Sequence, residues 1–298
     1  MKFEDYLEQE INSTYEFEDE RIISNLYLAS LPLSMRELKS RSDEVEKEAD
    51  LNKKERKRKK FEEDEAKQEW LLQGCEFVKQ VNTISLDQLK NRIDANKKSC
   101  DAYFYNPNTE ENKRNLLIEF KNVNKDKMLE FIKKSDKDGM WSKVADSAAL
   151  LKDMVEFNGY DGDQIISNTH LILVYGEKAN TVSTMHMNLG KKDTVIRDKN
   201  GRQSRPVSMG WQKTKEYSLK ETKELLDKFS GKMKAKGFAP CPEGYFGVPI
   251  KEPDGDKSGK EKRCWFTLYS KSDFQKVVKD ERFFENWDWG VYGKYFDR

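Results

Sequence analysis

Three charged side chains stand where two neighbouring strands would bring them together. Residues 116–121 read LLIEFK, an apolar run that contains one carboxylate and one amine. In a strand, Glu119 and Lys121 point to the same face because side chains alternate. Asp101 lies at the start of an earlier predicted strand, DAYFY. Since ionised groups are rarely buried without a partner, these residues are candidates for a functional site.

The register of the predicted hairpin can be counted. The polar loop between its strands centres near Glu110, so a symmetric hairpin pairs residue i with residue 220 − i. Asp101 then lies opposite Glu119, with both side chains on one face. A shift of one residue would move one of the two to the other face. Two adjacent carboxylates repel each other unless a cation lies between them or one is protonated.

Two carboxylates beside a lysine are typical of metal-assisted hydrolysis of phosphate esters. Mg²⁺ prefers oxygen ligands, and one or two carboxylates commonly hold it together with phosphate and water. Because Asp101 and Glu119 favour the charged form of Lys121, we expect this lysine to position water or stabilise the transition state. The alternative is a network of ion pairs on an exposed edge hairpin, which would add little to stability.

The surrounding pattern predicts a mixed α/β domain. Apolar runs predict strands at residues 100–105, 115–123 and 169–176. Apolar residues at helical spacing predict helices between the second and third of these strands. Residues 219–237 predict a later helix that Gly237 would end, and residues 262–270 predict a further strand.

The composition divides the chain into two parts. Charged residues make up 37% of the 298 residues, and the mean hydropathy is −0.95, so part of the length is expected to add little to a core. Residues 1–70 are predicted to form a charged helical extension, and residues 71–298 the α/β domain. The basic run KKERKRKK at 53–60 could bind phosphates or act as a localisation signal, but acidic residues follow it directly.

Several classes of protein are excluded or disfavoured. The net charge of +1 predicts no general affinity for nucleic acid, so any basic surface must be local. The four cysteines form no CxxC pair, and His170 and His186 are the only histidines, which disfavours a zinc site. We expect His170 to lie in the core. No apolar run is long enough for a membrane span and no signal peptide is visible, so a cytoplasmic protein without membrane contact is expected.

Asp101 followed by Glu119, Phe120 and Lys121 resembles the PD-(D/E)XK nuclease superfamily. Cys100 stands where that family often has a proline. The resemblance covers about a third of the chain and implies a restriction-endonuclease-like fold, a mixed central sheet flanked by helices. The family's core order of helix, three strands, helix and strand can be laid onto residues 71–176. Residues 71–298 would then be the nuclease domain with a C-terminal elaboration.

The resemblance also implies roles for individual residues. Asp101 and Glu119 would coordinate Mg²⁺, with Mn²⁺ as an alternative, together with the backbone carbonyl of Phe120. Lys121 would serve the attacking water. The helix that precedes the strands often supplies another acidic residue, and Glu76 is the candidate here.

The implied substrate is nucleic acid, with DNA favoured over RNA. Lys125 and Lys152 follow the strand of Glu119 and are candidates for contact with the nucleic-acid backbone. A homodimer would be needed for paired cuts. The competing interpretation is a catalytically inactive nuclease fold that serves as a binding or protein-interaction module.

Overall fold

A computed structural model gives the fold. It describes residues 3–13, 22–30, 50–53, 55, 81–106, 114–134, 139–176, 217–240, 265–279 and 282–285. Glu76 and most of the basic run at 53–60 lie outside these residues, so the predictions made for them stay predictions.

A mixed sheet of six strands forms the centre of the described part of the chain, and the strands lie in their sequence order. They are β1 (Ile23–Asn25), β2 (Asn82–Ser85), β3 (Ala102–Phe104), β4 (Asn115–Lys121), β5 (Thr169–Tyr175) and β6 (Phe266–Ser270). Strands β1 to β4 pair antiparallel, whereas β4, β5 and β6 are parallel to one another. The predicted mixed α/β class is confirmed.

Helices connect the strands and cover the sheet. They are α1 (Phe3–Asn12), α2 (Leu26–Ser30), α3 (Leu86–Ile93), α4 (Lys125–Lys133), α5 (Met140–Phe157), α6 (Gly162–Ser167), α7 (Leu219–Ala235), α8 (Lys271–Val277) and α9 (Arg282–Glu285). Among the described residues, none of these helices has both the length and the apolar character needed to cross a membrane.

Side-chain alternation assigns the helices to two faces of the sheet. Glu119 of β4 is paired with a lysine of α5, so α5 covers that face. The strand register puts Phe266 of β6 on the same face, where its ring contacts Phe229 of α7 at a centroid distance of 4.9 Å. On the opposite face, Phe120 contacts Phe274 of α8 at 5.5 Å. The sheet therefore lies between two layers of helices.

The predicted hairpin register is confirmed. The observed pairs are Ala102 with Ile118, Tyr103 with Leu117 and Phe104 with Leu116. In each pair the residue numbers add to 220, the value predicted from the centre of the loop. The register therefore agrees with the count from the centre of the loop in the sequence.

Helix α7 begins and ends as its sequence predicts. The Ser218 side chain accepts a hydrogen bond from the Glu221 backbone N–H, and the Glu221 side chain accepts one from the Ser218 backbone N–H. Gly237 follows the helix with a φ of 79°, in the left-handed region that favours glycine. Both ends are therefore fixed by local sequence.

Part of the first seventy residues belongs to the same core. Strand β1 pairs with β2, and Ile22, Leu26 and Ala29 beside it are fully or almost fully buried. The ring of Phe3 in α1 contacts that of Tyr105 at 4.9 Å. This differs from the predicted charged extension, because the apolar residues before Ser30 pack against the sheet. The predicted boundary at residue 70 lies outside the described residues.

His170 on β5 is fully buried, as expected for a core residue, and lies on the face of Phe120. Its Nε2 shares a hydrogen bond of 2.8 Å with Thr267 Oγ1. Burial lowers the pKa of His170 to about 3, and the charge of Arg114 also acts in that direction. The folded protein therefore excludes a proton that the unfolded chain binds below its ordinary pKa of about 6.5.

His170 should make stability fall as the solution becomes acidic. Its contribution is fully present above pH 6.5 and is lost as the pH falls towards 3. Between pH 7.5 and 4.5 the wild type should lose about 2–3 kcal/mol more stability than His170→Gln, measured by urea unfolding at both pH values. Equal losses in the two proteins would contradict this prediction.

Candidate active site

The predicted site residues lie at one edge of the sheet. Because β3 runs antiparallel to β4, the start of β3 and the end of β4 meet at the same edge. Asp101 immediately precedes β3. Glu119 and Lys121 lie on one face of β4, near its end. The fold thus brings together the three residues that the sequence predicts to act together.

Asp101 leaves the strand ladder and turns its carboxylate towards the β4 backbone. Its N–H donates to the Ile118 carbonyl at 3.1 Å. Its Oδ2 accepts a hydrogen bond from the Phe120 N–H at 2.6 Å. Since the N–H and C=O of one strand residue point to the same side, the Phe120 carbonyl also faces Asp101. The carboxylate and this carbonyl are therefore placed as two neighbouring oxygen donors.

Glu119 is completely buried and is paired with two lysines. Lys143 of α5 donates to both of its carboxylate oxygens, at 2.8 Å and 3.1 Å. Lys121 Nζ lies 3.7 Å from Glu119 Oε1, an ion-pair distance that is too long for a hydrogen bond. Lys143 therefore makes the closer contact, although the sequence points to Lys121.

Lys121 faces solvent more than its partner carboxylate does. Its side chain is 29% exposed, and its Nζ lies 5.0 Å from the centre of the Phe131 ring on α4. A cation over an aromatic ring is attracted by the ring's negative face. Glu119 and Phe131 together hold this amine at the mouth of the site, where it can contact a bound anion.

Burial and mutual repulsion perturb the charges of the cluster. Burial raises the pKa of Asp101 well above its ordinary value, and the charge of Glu119 raises it further. Burial alone would lower the pKa of Lys143, but the charges of Glu119 and Asp101 outweigh it and raise that pKa. Lys143 is therefore an ammonium that interacts with both carboxylates.

Lys143 is the functional candidate that the sequence reasoning missed. It lies one turn before Ser147, which is fully buried. Ser147 Oγ accepts a hydrogen bond from the Cys100 N–H at 2.7 Å and donates one to the Lys143 carbonyl at 2.7 Å. Two polar residues four apart on the apolar face of a predicted helix were the available signal. Through Ser147, α5 also fixes the residue that precedes Asp101.

Asp87, a second missed residue, lies in the first turn of α3. Its Oδ1 accepts hydrogen bonds from Ser99 Oγ at 2.5 Å and from Lys90 Nζ at 3.2 Å. Its charge contributes to the raised pKa of Asp101, so it lies within electrostatic range of the site. Asp87 therefore adds a third carboxylate near this edge of the sheet, beside the predicted Asp101 and Glu119.

The two lysines predicted to contact nucleic acid lie in different places. Lys125 is the first residue of α4, directly after the edge that carries Lys121. Lys152 forms an ion pair with Asp163 of α6. It lies nine residues beyond Lys143 on α5, about half a turn around the axis and about 13 Å along it, and so away from the site. Contact of either lysine with nucleic acid stays a prediction.

Comparison of the chain with protein-family models, with curated proteins and with solved structures finds no match. The assignment of a function therefore depends on the geometry of this edge.

The oxygen atoms at this edge of the sheet are of the kind that binds a cation. Lys143 donates to the Glu119 carboxylate, Asp101 accepts a hydrogen bond from the N–H of the adjacent Phe120, and the charges of both carboxylates act on Lys143. Among the residues that the structure describes, no three His, Cys, Asp or Glu side chains come close enough to hold a metal by themselves. A divalent ion here would thus use two carboxylates and complete its coordination with the carbonyl, water and substrate.

Proposed function

We propose that this protein is a metal-dependent phosphodiester hydrolase of the PD-(D/E)XK type, with a restriction-endonuclease-like core. The observation that carries the proposal is the convergence of Asp101 and Glu119 beside Lys121 at one edge of the sheet. The register of β3 and β4 supports it, because the pairing of Ala102 with Ile118 brings Asp101 next to the segment of β4 that carries Glu119. The proposed substrate is nucleic acid, with DNA favoured, and the proposed location is the cytoplasm.

Each residue of the site has a role that its contacts suit. Asp101 and Glu119 would hold Mg²⁺ or Mn²⁺ with the Phe120 carbonyl, and Glu76 is the proposed further ligand. The bound ion supplies charge stabilisation at the phosphate and a more acidic water. Lys121, whose Nζ lies 3.7 Å from Glu119 Oε1, would orient the water or a phosphate oxygen.

The polar edge also fits the approach of a phosphate backbone. Lys121 is partly exposed, and Lys125 is the first residue of the helix that follows its strand. Phosphate contacts of this kind position a nucleic acid without reading its sequence. Paired cuts in a duplex would need two copies of the site, which a homodimer would supply.

A second candidate is a nuclease fold without activity that serves as a binding module. The observation that favours it is the pair of hydrogen bonds from Lys143 to Glu119. An ammonium that never leaves would exclude a divalent ion from the site. The fold and its partly basic edge could then bind nucleic acid or protein without cleaving.

A cleavage assay separates the two candidates. The purified full chain is incubated with end-labelled single- and double-stranded DNA and RNA, in Mg²⁺, in Mn²⁺ and in EDTA. Metal-dependent cleavage that EDTA abolishes is the expected result. Binding of the same oligonucleotides without cleavage in either metal would reject the hydrolase and favour the binding module.

A further inference from the structure

We propose that the Lys143 ammonium is a resident cation of this site, which a divalent ion must displace from Glu119. The inference rests on the proposed function in its choice of ligand, a divalent cation. It assigns a role to a residue that belongs to no part of the sequence motif. It also explains how the Glu119 carboxylate, which has no exposure to solvent, is tolerated in the metal-free protein.

The contacts of Glu119 leave little room for two cations. Lys143 Nζ lies within 3.1 Å of both Glu119 oxygens, so it occupies the position that a bidentate cation would take. A divalent ion bound to the same oxygens would stand at about 2–2.5 Å from them. The ammonium and the ion would then overlap and repel each other. Binding of the ion therefore requires Lys143 to withdraw.

Lys143 is able to withdraw, whereas Glu119 is not. The Lys143 side chain is 25% exposed and lies near the start of α5, three residues after Met140. Its four-carbon stem can carry the ammonium to water without opening the core. Glu119 pairs with Leu173 in the parallel ladder between β4 and β5 and is fully buried. When Lys143 leaves, the carboxylate stays in place and needs another cation.

Competition of this kind distinguishes Lys143 from a merely structural lysine. A structural lysine would lower stability when removed and would leave the affinity for metal unchanged or reduced. A resident cation instead opposes the ion, so its removal must strengthen metal binding. The coupling is reciprocal, because the ion that replaces the ammonium must also restore the stability lost with it.

Calorimetric titration of the full chain with Mn²⁺ tests the inference. Lys143→Met, which keeps most of the side-chain length without the charge, should bind Mn²⁺ about tenfold or more tightly than the wild type. Mn²⁺ should also raise the thermal midpoint of Lys143→Met more than that of the wild type. Lys143→Gln, which can still donate to Glu119, is the second variant should Lys143→Met fail to fold.

Matched controls separate the site from general charge effects. Lys97→Met removes a surface lysine that pairs with Asp153 at 2.9 Å, and it should bind Mn²⁺ as the wild type does. Adding Glu119→Gln to Lys143→Met should abolish the gain in affinity.

The outcomes separate this inference from the proposed function. Equal or weaker Mn²⁺ binding by folded Lys143→Met, with cleavage by the wild type intact, overturns the inference alone. Binding by Lys143→Met but not by the wild type supports the inference and favours the inactive module. Failure of both folded proteins to bind Mn²⁺ overturns the inference and the hydrolase together.

Discussion

Asp101→Asn should lower the rate of metal-dependent cleavage by about a hundredfold or more while leaving the protein folded. The amide keeps an oxygen that can accept the hydrogen bond from the Phe120 N–H, which is 2.6 Å long in the wild type. What the substitution removes is a carboxylate oxygen that could bind the metal ion. The measurement is the initial rate of oligonucleotide cleavage at saturating Mn²⁺, with the circular dichroism spectrum recorded in parallel.

The matched control is Asp153→Asn, which makes the same chemical change on the surface of α5. Asp153 pairs with Lys97 and lies outside the site. Its substitution should leave the cleavage rate unchanged. Wild-type rates in Asp101→Asn, or an equal loss in both variants, would remove Asp101 from the proposed chemistry.

Lys143→Met should destabilise the metal-free protein by about 3 kcal/mol, because breaking a buried ion pair leaves an uncompensated charge. Among the described residues, Glu119 would then keep Lys121 as its one ion-pair partner, at 3.7 Å and without a hydrogen bond. We place the expected loss at the low end for such pairs because Lys143 retains some contact with water. The free energy of unfolding in denaturant and EDTA measures it.

A double variant shows whether the unpaired carboxylate causes this loss. Lys143→Met combined with Glu119→Leu replaces the pair by apolar side chains, and it should be more stable than Lys143→Met alone. Lys97→Met should cost about 0.5 kcal/mol or less, as expected for an exposed pair. If Lys143→Met also lost only about 0.5 kcal/mol, the buried Glu119 carboxylate would not need Lys143 for the stability of the fold.

The parts of the site that lie on the hairpin could be predicted because they depend on local sequence. The count from the centre of the loop predicts the pairing of Tyr103 with Leu117, and the same count puts Asp101 near Glu119. The end of α7 at Gly237 was predictable for the same reason, since a single glycine with positive φ sets it. Local rules of this kind need no knowledge of the tertiary fold.

The parts that depend on distant contacts were missed. Lys143 comes 24 residues after Glu119, and only the packing of α5 on the sheet turns its side chain towards that carboxylate. Asp87 reaches the site because β2 ends at the same edge. Strand β1 was hidden because its three residues carry too little alternation to be recognised before their partner strand is known.

The place of β1 determines how this chain can be shortened. Thr83 Oγ1 donates to the Ser24 carbonyl across 59 positions of sequence. The outermost strand, β1, therefore pairs with a strand that is distant from it in the sequence. Cutting the protein at residue 70, where composition alone suggests a boundary, would remove this strand and leave β2 with an open row of backbone donors and acceptors. An exposed edge strand of this kind promotes association between copies of the protein. A shortened chain that keeps residues 22–30 would retain β1 and its hydrogen bonds to β2.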